Sequence, residues 1–260
     1  MKLSVFPSSM ETARSLIFHL VDIMNAEPDK TFNIAVSGGS TPALMFDLWA
    51  NEYADITPWG RMKLYWVDER CVPPEDSDSN YGMMRSLLLG IVPIPYENVF
   101  RIRGEEKPVK EAARYSELVD WQVPKKNGWP EFDIVLLGAG EDGHTSSIFP
   151  GQEALLSSDQ IYDQHPSPQR TETYCNDRIS DSYCPSGYFS DYRKSQGGSG
   201  GRNLSLGRYG AGSLYSPPCG ECGIVYGCRS RDVCPERLKR EKTTEERQYK
   251  DKVIIYKERE

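Results

Sequence analysis

The sequence predicts an α/β fold: a mostly parallel sheet with helices on both faces, followed by an irregular C-terminal tail. Three observations carry this expectation. Up to about residue 162, short apolar runs alternate with segments of helical periodicity. The most apolar run, FDIVLL at 132–137, has the composition of a strand buried on both faces. Polar or glycine-rich clusters follow the runs at 37–41, 68–70 and 138–144, and in parallel sheets ligands bind beyond such strand ends.

Thr12–Met24 (TARSLIFHLVDIM) carries apolar residues at helical spacing and reads as an amphipathic helix. Phe32–Val36 (FNIAV) is a strand that runs into Ser37-Gly38-Gly39-Ser40-Thr41-Pro42. Thr41 is suited to cap, and Pro42 to open, a helix reaching about Asn51. Lys63–Val67 (KLYWV) is the second strand, with Asp68-Glu69-Arg70 as the loop after it. Tyr81–Leu89 reads as helical after Ser79-Asn80, and Asn98–Ile102 as a short strand. Lys110–Asp120 is a helix, followed by a Pro/Lys/Gly/Trp loop. Phe132–Leu137 is a strand leading into Gly138-Ala139-Gly140.

The 260 residues carry a formal charge of −7, and this length suits one large domain or two small ones. An acidic chain without a basic cluster in its regular part is a poor nucleic-acid binder. No apolar run approaches the ~18 residues of a membrane span, and MKLSVFPSSM lacks a signal-peptide core, so a cytoplasmic protein without membrane contact is expected. An enzyme or a small-ligand binder remains.

Apolar content is 38 %. Counting Gly and leaving out Tyr brings it to about 41 %, against a usual ~45–50 %. The deficit is local. The division expected is an α/β domain at 1–165 and a frame-shifted, disordered or poorly packed tail at 166–260. Six of the seven cysteines lie beyond Thr171, QGGSGG at 196–201 is of linker type, and the last residues are nearly all charged. A disulfide framework would need an oxidising compartment, which the missing signal peptide argues against. A zinc site at Cys219 and Cys222 lacks a second half. A shifted reading frame starting between Tyr162 and Thr171 is favoured. Dropping one base from a permitted back-translation of FSDYRKSQGGSGGRNL yields FLITGKVKAEAVAEI, an apolar strand, a turn and an amphipathic helix. A sheet that loses its last strands in this way would be left with an unpaired edge.

Three clusters carry the chemistry. In Ser37-Gly38-Gly39-Ser40-Thr41, glycines let backbone amides approach an anion, hydroxyls add donors, and the following helix adds its positive end. The pattern suits a phosphate or sugar phosphate; it lacks the Lys of a P-loop and the spacing of GxGxxG. In Trp66-Val67-Asp68-Glu69-Arg70, Arg70 offers a planar fork for phosphate, and Asp68 could orient a hydroxyl or an imidazole. In the third cluster His144 follows Gly138, Gly140 and Asp142 at a sheet edge, where a neutral imidazole can accept a proton from water near pH 7. His19, in the first helix, and His165, near the suspected break, are given no role.

SGGSTP, WVDER and LGAGEDGHTSSIFPG, in this order and spacing, resemble the motifs of the 6-phosphogluconolactonases. The resemblance covers about Met1–Tyr162, roughly two-thirds of the family's length, and the frame-restored FLITGK fits the family's C-terminal half. The related glucosamine-6-phosphate deaminases share the first motif, but typically follow the His with Ile-Ala-Phe-Asn-Glu-Pro and have Asp-Glu-Tyr in place of Asp68-Glu69-Arg70. The resemblance implies a Rossmann-like fold and a hydrolase without metal or cofactor, in the oxidative pentose phosphate pathway. It further implies a phosphorylated sugar lactone as substrate and His144 as general base with Asp142. Substrate contacts would come from Ser37, Gly38, Gly39, Ser40, Thr41, Asp68, Arg70, Gly138 and Gly140. The alternatives are a deaminase-like isomerase and an inert sugar-phosphate binder.

Overall fold

The structure, a computed structural model, describes residues 2–139, 144–152, 155, 158–165, 173–176, 187–192, 223–228 and 252–257. Its strands in chain order are β1 (Lys2–Phe6), β2 (Phe32–Val36), β3 (Met62–Trp66), β4 (Asp68–Arg70) and β5 (Val99–Phe100). They continue with β6 (Lys125–Lys126), β7 (Trp129–Pro130), β8 (Ile134–Ala139), β9 (Tyr162–His165) and β10 (Thr173–Asn176). The last are β11 (Gly187–Tyr192), β12 (Gly223–Cys228) and β13 (Lys252–Lys257). The helices are α1 (Ser9–Ala26), α2 (Ser40–Glu52), α3 (Asn80–Met84) and α4 (Pro108–Gln122).

The main sheet has the order β1-β12-β13-β11-β8-β2-β3-β5, and β11, β8, β2, β3 and β5 run parallel to their neighbours in that half. Helical crossovers between parallel strands produce this arrangement. α1 buries the stripe Ala13, Leu16, Ile17, Leu20, Val21 and Met24, and Ser8 caps it by accepting from the Glu11 amide at 3.2 Å. β2 is buried at every position, as a strand covered on both faces must be.

Several local expectations change. α2 starts at Ser40, not after a Thr41 cap, and no side chain caps it. Gly39, at φ +112°, makes the turn itself, in backbone space that L side chains rarely adopt. Tyr81–Leu89 divides into α3 and a wider π-type turn at Arg85–Leu89. The loop after α4 contains a small antiparallel hairpin, β6–β7. Asp68–Arg70 is a strand, because β10 pairs with it antiparallel and β9 pairs in turn with β10.

The tail, expected to be irregular, contributes strands in all its described segments. GIVYGC and KVIIYK hold the β-branched and aromatic residues that favour strands, and β11 lies where the frame-restored reading also places one. β11 pairs parallel with β8, so the expected open edge of β8 is occupied.

Tyrosines finish the end of β3. The Tyr115 hydroxyl accepts from the Trp66 amide at 2.9 Å and donates to the Phe100 carbonyl at 2.8 Å. The Tyr162 hydroxyl donates to the Trp66 carbonyl at 2.8 Å. Both rings are buried and meet edge to face, 4.6 Å apart. The strand therefore reaches residue 67 with its backbone groups satisfied, and the chain leaves it at a defined place.

Candidate active site

The carboxyl ends of β8, β2 and β3 lie side by side. Val36 is level with Leu136 on one side and Trp66 on the other. The ladder continues one step past the strands: the Ser37 amide donates to the Leu136 carbonyl at 3.0 Å, and the Val67 amide to the Val36 carbonyl at 2.9 Å. The chain segments after Val36, Trp66 and Leu137, which the sequence singles out, thus start from one edge.

Asp68 and Glu69 leave this edge into the protein rather than into water, being 4 % and 1 % exposed. Glu69 is fully engaged as an acceptor. Its Oε1 receives the amides of Arg70 (2.7 Å) and Asn80 (2.8 Å). Its Oε2 receives the Tyr81 amide (2.8 Å) and the Ser79 hydroxyl (3.3 Å). Burial pushes its carboxyl up to about 7; the backbone donors pull against that, and the neighbouring charge of Asp68 adds to it.

Asp68 joins two of the clusters. Its Oδ2 accepts from the Ser147 hydroxyl at 2.8 Å, linking residues 79 positions apart. Its Oδ1 is buried and has no hydrogen-bond partner among the described residues. Burial raises its pKa, against the opposing charges of Arg70 and His144 and the bond from Ser147. Both side chains act on the same carboxyl, so Arg70 and His144 lie within electrostatic reach of it. Arg70 also donates through Nη1 to the Asp78 carbonyl at 3.0 Å.

The His144 segment is held at both ends. Thr145 Oγ1 donates to the Gly138 carbonyl at 2.9 Å, tying the segment to β8. Thr145 and Ile148 bridge across a tight turn in which Ser146 has φ +52°. The His144 ring is half-buried, 4.8 Å from the ring of Phe149. An imidazole so placed, beside a buried acid, can take up and return a proton.

Of the residues singled out in the sequence, Ser37 is buried, and its Oγ has no hydrogen-bond partner among the described residues. Gly38 lies against the Asn80 side chain, and Gly39, Ser40 and Thr41 form the turn and first residues of α2. Gly140 and Asp142 lie outside the described residues. Among the described residues no group of three or more His, Cys, Asp or Glu is placed to hold a metal ion. Sequence reasoning passed over Glu69, Ser79, Asn80 and Ser147. Ser79-Asn80 carries a cap signal, and Ser79 does accept the Gly82 amide at 3.0 Å. No spacing rule connects Ser147 with Asp68.

Because the Glu69 carboxyl holds its proton more tightly folded than unfolded, its contribution to stability is present below the ordinary carboxylate range. It is lost as pH rises through about 7. The advantage of the wild type over Glu69→Gln in urea unfolding therefore shrinks between pH 5 and pH 8, on the order of 3 kcal/mol in all. A pH-independent difference would show that the carboxyl titrates normally.

The family model described as glucosamine-6-phosphate isomerases/6-phosphogluconolactonase matches residues 7–183. The 6-phosphogluconolactonase of Treponema pallidum (strain Nichols) is 43 % identical over 147 residues, 56 % of this chain and 61 % of that one. The 6-phosphogluconolactonase of Haemophilus influenzae (strain ATCC 51907 / DSM 11121 / KW20 / Rd) is 46 % identical over 121 residues, 46 % of this chain and 50 % of that one. This chain thus spans between half and about three-fifths of the length of these curated relatives. The crystal structure of devB protein superposes with a TM-score of 0.64 at 34 % identity, covering 67 % of this chain and 73 % of that one. With the parallel sheet, the matching strand ends and a family match over most of its length, the chain belongs to the glucosamine-6-phosphate isomerase/6-phosphogluconolactonase family.

Proposed function

We propose that this protein hydrolyses 6-phospho-D-glucono-1,5-lactone to 6-phospho-D-gluconate, a step of the oxidative pentose phosphate pathway, in the cytoplasm. The observation that carries the reading is the 2.8 Å bond from Ser147 to Asp68, which draws the His144 segment to the Asp68–Arg70 strand. The names of the curated relatives support the same substrate.

In this reading Ser40, Thr41 and Arg70 hold the 6-phosphate, through hydroxyls, the positive end of α2 and a guanidinium fork. Ser37 and the Asp68 carboxyl meet sugar hydroxyls, and Asp68 with Asp142 orients the sugar or the imidazole. His144 takes a proton from water as the water oxygen attacks the lactone carbonyl. The oxyanion that forms is met by amides of the Gly38–Gly39 turn or of Gly138–Gly140. When the bond from the carbonyl carbon to the ring oxygen breaks, the imidazolium returns its proton to that oxygen. The open-chain acid then ionises in water. The scheme uses these side chains, the lactone and water, and calls on no metal, cofactor, nucleic acid or membrane.

The deaminase alternative fits these residues less well. Three positions after the His, the deaminases typically carry Phe, which has no hydroxyl for Asp68; this chain has Ser147 there. Ammonia release from glucosamine 6-phosphate, with no lactone hydrolysis, would favour that alternative.

His144→Ala lowers kcat by about 10²–10⁴-fold with little change in KM, since one general base contributes about that much. Arg70→Ala mainly raises KM. Stopped-flow hydrolysis of the lactone checks both, and a near-normal kcat in the first variant removes the imidazole from the mechanism.

We further infer that residues 166–260 stand in a shifted frame, so that the chain lacks basic phosphate contacts that an in-frame C-terminal part would supply. Restoring the frame raises soluble yield and lactone turnover. Equal turnover in the two forms would defeat this reading.

A further inference from the structure

We propose that Asn80 is a positioning residue of the site, holding the Ser37–Thr41 turn and the Asp68–Arg70 strand at one separation; this rests on the lactonase reading above. Asn80 is 3 % exposed and stands where the two clusters meet. Its Nδ2 donates to the Asp68 carbonyl at 2.9 Å, and its own amide donates to Glu69 Oε1 at 2.8 Å. The side chain also lies directly against Gly38. A methyl group added to Gly38 would overlap both Oδ1 and Cγ of Asn80, so position 38 admits no side chain while Asn80 is present. One carboxamide thus spans the turn after β2 and the strand after β3.

The wedge is itself braced. Glu69 gathers the Asn80 and Tyr81 amides and the Ser79 hydroxyl. At Gly82 a Cβ would overlap the Pro74 carbonyl, so the start of α3 sits directly on the 73–79 segment. Few rotations are open to Asn80 in this setting, and its position is transmitted to Asp68 and Gly38 without slack. The group must be a carboxamide. Ala would leave the Asp68 carbonyl without this donor and open a gap beside Gly38. Asp would set a second acceptor against that carbonyl, next to a buried carboxylate.

The experiment is a double-mutant cycle on the full chain, with Asn80→Ala, Gly38→Ala and the pair, and with Asn80→Asp as a chemical control. Asn80→Ala is expected to raise KM for the phosphorylated lactone about 10- to 100-fold while far-UV circular dichroism is unchanged, because small displacements in a site are that costly. Asn80→Asp, nearly isosteric, does not restore KM. Gly38→Ala is more damaging in the wild-type background than in Asn80→Ala, where the overlaps with Oδ1 and Cγ are gone and only a 2.9 Å approach to the remaining Cβ is left. Unchanged KM in Asn80→Ala, or strictly additive effects in the cycle, would overturn the proposal. Absence of lactone turnover both in the wild-type chain and in its frame-restored form would instead sink the lactonase reading. The cycle is then read from melting temperatures, where additive shifts overturn the wedge and a rescue of Gly38→Ala by Asn80→Ala upholds it.

Discussion

Two consecutive carboxyl groups, Asp68 and Glu69, enter the interior at the end of the central strand β3, and much of the surrounding structure answers to them. A buried carboxylate without donors costs several kcal/mol or neutralises itself, so each such group must recruit partners. Glu69 recruits the first amides of α3 and a serine hydroxyl, which fixes where that helix starts. Asp68 recruits Ser147, and with it the segment that carries His144. Asn80, anchored through its amide by the Glu69 carboxyl and bonded through Nδ2 to the Asp68 backbone carbonyl, then leaves room only for glycine at position 38.

The same burial supplies the electrostatics. Few waters reach these carboxyls, so charges from Arg70 and His144 act on Asp68 through a poorly screening medium. Burial lifts both acids above their ordinary range, and the donors and cations limit the rise. Asp68 Oδ1 and Ser37 Oγ, each buried on an adjacent strand end and without a hydrogen-bond partner among the described residues, are polar atoms of the kind that ligand hydroxyls satisfy. The tyrosine pair behind Trp66 holds the strand end firm, so that the donors are organised before any ligand arrives.

Much of the layout was legible because it rests on local periodicity. β2 occupies the same residues as its apolar run, and α1 and α4 extend their expected segments by a few residues at each end. The errors have physical causes. At the start of α2, the Thr-Pro pair looked like a cap, but a left-handed glycine made the turn two residues earlier. Asp68-Glu69-Arg70 looked like solvated loop because charge ordinarily seeks water, yet a partner strand a hundred residues away and donors from α3 took it inside. Within the tail, short runs that its overall composition does not single out pair with β1, β8 and one another.

By itself, the amino-acid sequence determined the alternation of strand and helix, the glycine turns, and which polar residues stand just past apolar runs. Those features follow from neighbours within one turn or one pleat. Only the tertiary structure decided which of those polar residues meet. The meeting of Asp68 with Ser147, of Gly38 with Asn80, and of Glu69 with the head of α3 depends on strand order and register, which pair residues far apart in the chain. Once the buried carboxyls were placed, the need for hydrogen-bond donors, rather than any local preference, selected their partners.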